Sequence, residues 1–191
     1  MKKLLLALLV LFLQVFLSGC AIVPEPEPDY RALLTEAAAA GDSARGQAVQ
    51  RERDARLDKT GSDETRVDFD ELLLLARALA RTAGDAWCTE QLRLCAGEVL
   101  LNRVASPEFP DTLPELLAQE PWAQGEDFAA LAPGRECAEA ALALLLGERM
   151  LDPRVVYQTT RPAGGGVYAT FCDRRYRVTY FCLTDHPELY P

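Results

Sequence analysis

The sequence changes character after Pro153, and this change limits the folds that the chain can adopt. Before it, large apolar residues recur at helical spacing from Val67 onward. After it come three runs rich in β-branched and aromatic residues: Val155–Tyr157, Val167–Phe171 and Val178–Phe181. Helices followed by a small group of strands form an α+β order. We therefore predict an α+β fold that is mainly helical, with a small antiparallel sheet at its C-terminal end.

Four helices are predicted between residues 67 and 153. Asp68 and Glu71 resemble a capping box at the start of the first, and Gly84 supplies its stop signal. The apolar residues of the second point nearly all round the helix, so we expect it to be buried on several sides, with Gly97 allowing a neighbour to approach closely. The predicted ranges of the last three are 89–104, 112–118 and 136–149.

The last two β-type runs predict a hairpin around Asp173-Arg174-Arg175, which would bring Cys172 near Cys182 as a candidate disulfide. Five cysteines follow Cys20, so at least one thiol must stay unpaired in a monomer. The sequence has no Cys-x-x-Cys, and its one histidine, His186, lies in a Pro-bounded tail at residues 186–191. This composition argues against a zinc site and against a Cys–His nucleophilic pair. We expect no metal and no cofactor.

The N-terminus has the three parts of a secretory signal. Lys2 and Lys3 precede an apolar run over residues 4–17, and Leu17-Ser18-Gly19-Cys20 follows. The run is shorter than the roughly 20 residues of a membrane-spanning helix. The Leu-Ser-Gly-Cys ending resembles the bacterial lipobox, which implies removal of residues 1–19 and lipidation of Cys20. An uncleaved helical anchor is the alternative, and both interpretations place the rest of the chain outside the cytoplasmic membrane.

A tether is predicted between Cys20 and the folded domain. Pro24-Glu25-Pro26-Glu27-Pro28 is a stiff, charged spacer. Residues 30–40 are predicted to form a short helix, and residues 41–66, which have few large apolar side chains, a mostly solvated linker. The domain is predicted to span residues 67–185.

The charge of the chain argues against nucleic acid as a partner. Without residues 1–19 it has 18 basic and 29 acidic residues. Phosphate backbones are bound by basic faces, which this balance does not predict.

A resemblance to a known family covers roughly residues 68–183. It is carried by Leu74-Leu75-Ala76-Arg77, by the turn Ala83–Cys88, and above all by residues 99–113, which contain Leu-Asn-Arg-Val-x-Ser-Pro-x-Phe-Pro-Asp-Thr. These segments resemble the SleB-type cell wall hydrolases, the spore-cortex-lytic enzymes and their vegetative relatives. The resemblance implies a lysozyme-like fold and peptidoglycan as partner. It also implies cleavage of the bond between N-acetylmuramic acid and N-acetylglucosamine by a lytic-transglycosylase-type mechanism.

That mechanism needs one glutamic acid that stays protonated near neutral pH. In the family this glutamate lies near the end of the first helix, and the matching position here is Thr82. A threonine hydroxyl cannot act as the general acid. Glu98, the one charged residue between Leu94 and Leu101, is a candidate substitute acid. The alternative is a structural glutamate bonded to neighbouring backbone or to an arginine.

Six further residues are candidate glycan contacts. Asn102 and Arg103 are predicted either to line a saccharide groove or to brace the end of the second helix. Gln119 stands where the family often has a Tyr-Gln pair that opens a substrate loop. Gln158 directly follows the first β-type run and is predicted either to hydrogen-bond an acetamido group or to be an ordinary edge residue. Tyr168 and Tyr180 lie on the other two runs, which are similar to the C-terminal strands of some members. Aromatic side chains at such positions stack on sugar rings or form core.

Two functions from different classes follow. The first is a membrane-tethered peptidoglycan hydrolase, lipid-anchored to the outer face of the cytoplasmic membrane. The alternative is a catalytically inactive glycan-binding or scaffold lipoprotein on the same fold. Thr82 is the residue that separates them.

Overall fold

The computed structural model describes residues 28–190 and shows an α+β protein, as predicted. Seven α-helices precede the strands in this part of the chain. They are α1 (Tyr30–Ala40), α2 (Ser43–Thr60), α3 (Phe69–Ala83), α4 (Glu90–Ala105), α5 (Leu113–Ala118), α6 (Glu126–Ala129) and α7 (Arg135–Leu145). Short 3₁₀ turns occupy Pro121–Ala123 and Pro187–Leu189. The predicted signal and Cys20 lie outside the described residues.

Three of the four predicted helix starts are confirmed, and a side chain caps each of them. Asp68 accepts hydrogen bonds from the backbone N–H groups of Asp70 and Glu71, as the capping interpretation required. Thr89 and Thr112 cap α4 and α5 in the same way. The helix predicted to reach Arg149 ends instead at Leu145, and Gly147 just beyond it has a φ of 101°.

The three β-type runs form one antiparallel sheet in the order β1 (Val155–Thr159), β3 (Val178–Leu183), β2 (Val167–Cys172). The predicted hairpin between β2 and β3 is confirmed. β1 pairs with the edge of β3 that this hairpin leaves free.

The predicted approach of Cys172 to Cys182 is wrong. Cys172 pairs with Val178, next to the turn, whereas Cys182 pairs with Val167 at the far end of the hairpin. The four residue steps from Val178 to Cys182 along β3 separate the two positions by roughly 13 Å. A disulfide needs Cα atoms within about 7 Å. Both cysteines are free thiols.

The solvated linker predicted for residues 41–66 is wrong between Ser43 and Thr60, which form α2. This helix packs on the start of α3: Gln50 Oε1 accepts from the backbone N–H of Phe69 at 2.7 Å. Gly46 permits the contact, since a Cβ there would lie 1.9 Å from Cζ of Phe69. The helix was not predicted from the sequence because few of its residues are buried and many of the others are charged.

The helix predicted at residues 30–40 is confirmed as α1, but it belongs to the core and not to a tether. Leu34, Ala37 and Ala38 are fully buried in the main hydrophobic cluster. α1 packs against α3 and α7. The core therefore begins well before the predicted boundary at residue 67.

α4 lies between two clusters, which confirms the prediction that it is buried on several sides. Leu94, Ala96 and Leu100 face the main helical cluster. Leu92, Cys95 and Val99 face the smaller cluster under the sheet. The close approach predicted at Gly97 is made by α7, since a Cβ there would lie 2.5 Å from Cδ1 of Leu144.

Candidate functional site

A groove runs between the end of α3, one side of α4 and the edge of the sheet. It consists of two open cavities of about 460 Å³ and 260 Å³. Thr82 and Gln158 line both cavities, so the two meet at these residues. Thr82 is on the last turn of α3 and Gln158 is on β1. The fold thus places Thr82 at the centre of the groove.

The Thr82 side chain is occupied by its own helix. Its Oγ1 donates a hydrogen bond to the carbonyl oxygen of Ala78 at 2.8 Å, one turn earlier. This bond is the common way for a threonine within a helix to satisfy its hydroxyl. Thr82 therefore contributes a small, exposed surface to the groove and no acid.

The smaller cavity, lined on one side by Ala96, Val99 and Leu100 of α4, contains a fixed ion pair. Glu120 Oε1 accepts from Nη1 of Arg103 at 3.0 Å, and its Oε2 accepts from Nε1 of Trp122 at 2.9 Å. Arg103 also donates from Nε to the carbonyl of Val156 at 2.6 Å. The Trp122 ring makes an edge contact with Phe128, at 6.1 Å between centroids. This end of the groove combines an apolar side with an indole ring and a rigid charged pair.

The larger cavity is lined by Asp85, Asp173 and Arg177 at its outer end. Nη2 of Arg177 donates to Oδ2 of Asp85 at 2.8 Å, and Nε of Arg177 donates to Oδ2 of Asp173 at 2.6 Å. Hydrogen bonds from the Trp87 backbone N–H and from Arg177 lower the pKa of Asp85. Burial alone would raise the pKa of Asp173, but hydrogen bonds from Arg177 and Arg175 outweigh it and lower that pKa. Both groups are carboxylates at neutral pH.

Glu98 lies outside the groove, which contradicts its candidate role as an acid beside Thr82. Its side chain is fully buried and accepts from the backbone N–H groups of Met150 at 2.7 Å and Leu151 at 3.1 Å. A proton donor must come within hydrogen-bond reach of its substrate. Glu98 instead matches the alternative of a structural glutamate, and it fixes the segment that leads from α7 to β1.

Of the six residues predicted to contact glycan, two line the groove and four do not. Arg103 and Gln158 line the groove with Thr82. Asn102, 7 % exposed, lines neither cavity and donates to the carbonyls of Asp152 and Val155. The remaining three also line neither cavity: Gln119, exposed after α5; Tyr168, exposed on β2; and Tyr180, half-buried on β3.

Sequence reasoning missed the carboxylates that border the groove, above all Glu120 in its interior. Its position next to the predicted residue Gln119 could have indicated it, since Glu120-Pro121-Trp122 directly follows Gln119. The predicted contact was thus one residue too early in the chain. Arg81, which lines the larger cavity beside Thr82, was also missed.

Among residues 28–190 no group of three or more His, Cys, Asp or Glu side chains is arranged to hold a metal ion. No helix in that range is long and apolar enough to cross a membrane. Comparisons with protein-family models, with curated proteins and with solved structures give no match. The resemblance to the SleB-type hydrolases therefore stays a hypothesis that is carried by the motif residues.

Proposed function

We propose that this chain is a lipid-anchored, peptidoglycan-binding protein of the cell envelope, which holds glycan strands in the groove around Thr82 without cleaving them. One observation supports the absence of cleavage most directly. Both oxygens of each carboxylate that lines the groove cavities beside Thr82, namely Asp85, Glu120 and Asp173, already accept hydrogen bonds. Each donor is an arginine, an indole N–H or a backbone N–H.

This arrangement leaves no obvious proton donor for a glycosidic oxygen. A general acid must carry a proton and present it to the leaving group. Asp85 and Asp173 have lowered pKa values, and Glu120 is bonded to Arg103 and Trp122. A binding role needs none of these groups to give up a proton.

The groove has the features of a saccharide-binding surface. Binding sites combine apolar walls with a few polar groups that fix orientation. The Gln158 side chain makes no hydrogen bond to any described residue and faces both cavities. Thr160 and Thr179 line the larger cavity, and Trp122 lines the smaller one. Gln158 is the residue that we expect to bond an acetamido group, with Trp122 beside a sugar ring.

The test uses the mature chain from Cys20 onward and insoluble peptidoglycan. We expect retention on peptidoglycan without release of muropeptides, and weaker retention of Gln158→Ala. Gln119→Ala is the matched control, because Gln119 lines neither cavity, and it should bind like the parent chain. Absence of retention would contradict a glycan-binding role and favour a purely structural envelope protein. Release of anhydro-muropeptides would contradict the proposal that the groove is inactive.

A hydrolase is the second candidate, because Glu120 lines the same cavity as Thr82. If substrate displaces Arg103 and Trp122 from Glu120, that carboxyl becomes available in the cavity that Thr82 lines. Loss of any measured muropeptide release in Glu120→Gln would support this function. Release that appears only in Thr82→Glu would support the inactive protein and identify Thr82 as the cause.

A further inference from the structure

The turn between β2 and β3 is strongly basic, although the whole chain has a net charge of −9. Its sequence is Asp173-Arg174-Arg175-Tyr176-Arg177. Asp173 organises it: Oδ1 accepts from the backbone N–H groups of Arg175 at 2.8 Å and Arg177 at 3.0 Å. Tyr176 is 87 % exposed, and among residues 28–190 it alone of the non-glycine residues has a positive φ, 61°. Asp173 thus braces the turn from within, and Arg174, Arg175 and Tyr176 are exposed.

The turn is docked on the segment that follows α3. The backbone N–H of Arg174 donates to the carbonyl of Trp87 at 3.0 Å. The guanidinium carbon of Arg175 lies 4.3 Å from the centroid of the Trp87 ring, a cation–π contact. Trp87 is nevertheless 39 % exposed. Trp87, Arg174, Arg175 and Tyr176 together form an exposed basic and aromatic surface, called here the turn surface.

The two arginines of the turn surface form no direct ion pair within the described residues. Arg177 takes up both nearby carboxylates, Asp85 and Asp173. Neither Arg174 nor Arg175 forms an ion pair with any residue in the range 28–190. Arg174 lines a separate cavity with Glu90, Glu136 and Glu139, but no carboxylate there is within ion-pair distance of it. Both guanidinium groups can therefore pair with an anion from outside.

The turn surface borders the end of the groove. Asp173 and Arg177, at the two ends of the turn, line the larger cavity beside Thr82. Arg174 and Arg175 lie between these two residues in the turn, so a strand that left the larger cavity at this end would pass close to them.

We propose that the turn surface binds the carboxylates of the peptide stems that branch from a glycan strand in the groove. This inference rests on the proposed function. Guanidinium groups pair well with carboxylates because their planar N–H donors match the two oxygens. The indole of Trp87 already restrains Arg175, which reduces the entropy lost on binding. The turn surface would therefore make the protein prefer stem-bearing glycan over bare glycan.

The experiment compares three ligands with the mature chain: glycan strands with intact peptide stems, the same strands stripped of stems by an amidase, and a phosphate-bearing wall polymer. Two exposed guanidinium–carboxylate pairs correspond to a preference of about five-fold for stem-bearing strands. The double variant Arg174→Gln/Arg175→Gln should lose this preference and keep its affinity for stripped strands. Added salt should reduce the preference in the parent chain.

The matched control is Arg51→Gln/Lys59→Gln, which removes two exposed positive charges from α2, away from the groove. It should keep the preference. Equal affinity of the parent chain for both strands would overturn this inference alone. Equal loss in the control, or tighter binding of the phosphate polymer than of stem-bearing strands, would also overturn it. Binding of neither strand would overturn the proposed function and this inference together.

Discussion

Asn102 donates from Nδ2 to the carbonyl oxygen of Val155 at 3.0 Å and so ties α4 to the start of β1. The same amide donates to the carbonyl of Asp152 at 3.1 Å. The next residue, Arg103, donates to the carbonyl of Val156 at 2.6 Å. The Leu-Asn-Arg-Val run thus braces the sheet against the buried helix. A sequence can resemble a hydrolase along this run for structural reasons, whatever residue occupies position 82.

We expect Asn102→Ala to lower the free energy of unfolding by about 2 kcal/mol, because it removes two hydrogen bonds that a buried side chain makes to the backbone. Urea denaturation followed by circular dichroism measures this change. Gln119→Ala, at an exposed position, should change stability by less than about 0.5 kcal/mol. Equal stability of Asn102→Ala and the parent chain would contradict the bracing role.

Glu98→Ala should destabilise the protein and leave groove binding per folded molecule unchanged. Glu98 is the acceptor for the N–H groups of Met150 and Leu151, and their loss of a partner costs about 1–3 kcal/mol. Thermal unfolding and peptidoglycan retention are measured on the same preparations. Glu90→Ala, in the exposed first turn of the same helix, is the control. Loss of binding without loss of stability would contradict the structural role and indicate that Glu98 acts in the groove.

Gly46→Ala should destabilise the protein by about 3 kcal/mol, because the new methyl group overlaps the ring of Phe69 and forces α2 away from α3. Ala55→Ser, an exposed change on the same helix, should have little effect. Both are compared by urea denaturation. No effect of Gly46→Ala would mean that residues 43–60 behave as the linker expected from composition.

Thiol alkylation should follow burial, not hairpin proximity. Cys172 is exposed and should react first, whereas Cys95 and Cys182 are buried and should react only after unfolding. Burial, together with the charge of Glu98, raises the pKa of Cys95 to about 11, so little reactive thiolate forms there. Mass spectrometry of the non-acylated chain from Ala21 onward measures the order. Cys172→Ser should remove the fast step, and a disulfide-linked peptide containing Cys172 and Cys182 would contradict the strand register.

Acid should loosen the β2–β3 turn. The lowered pKa values of Asp85 and Asp173 mean that their contribution to stability is complete above the ordinary carboxyl pKa of 3.8. It is lost as the pH falls below that value toward the lower folded-state pKa values. Trp87 fluorescence in a Trp122→Phe background reports this change, with far-UV circular dichroism as the control for global unfolding. A fluorescence transition near pH 6 would contradict the assignment to these carboxylates.

Most of the secondary structure could be predicted from local sequence patterns. Asp68, Thr89 and Thr112 announced helix starts because a cap depends on residues within one turn. The β-type runs and their hairpin were also predicted, since alternation and turn residues are properties of neighbouring positions. α2 was not predicted, because its packing depends on the contact of one small residue, Gly46, with Phe69 of another helix.

The sequence by itself determined the α+β order, the cap at Asp68 and the hairpin. Only the tertiary structure decided which side chains share the groove. The tertiary structure places Glu98 away from Thr82. It places Gln158 and Glu120 beside Thr82, although they lie 76 and 38 residues further along the chain. The physical reason is that caps and turns form within a few residues. A groove is made by the packing of α3, α4 and the sheet, and its members have no common spacing in the chain.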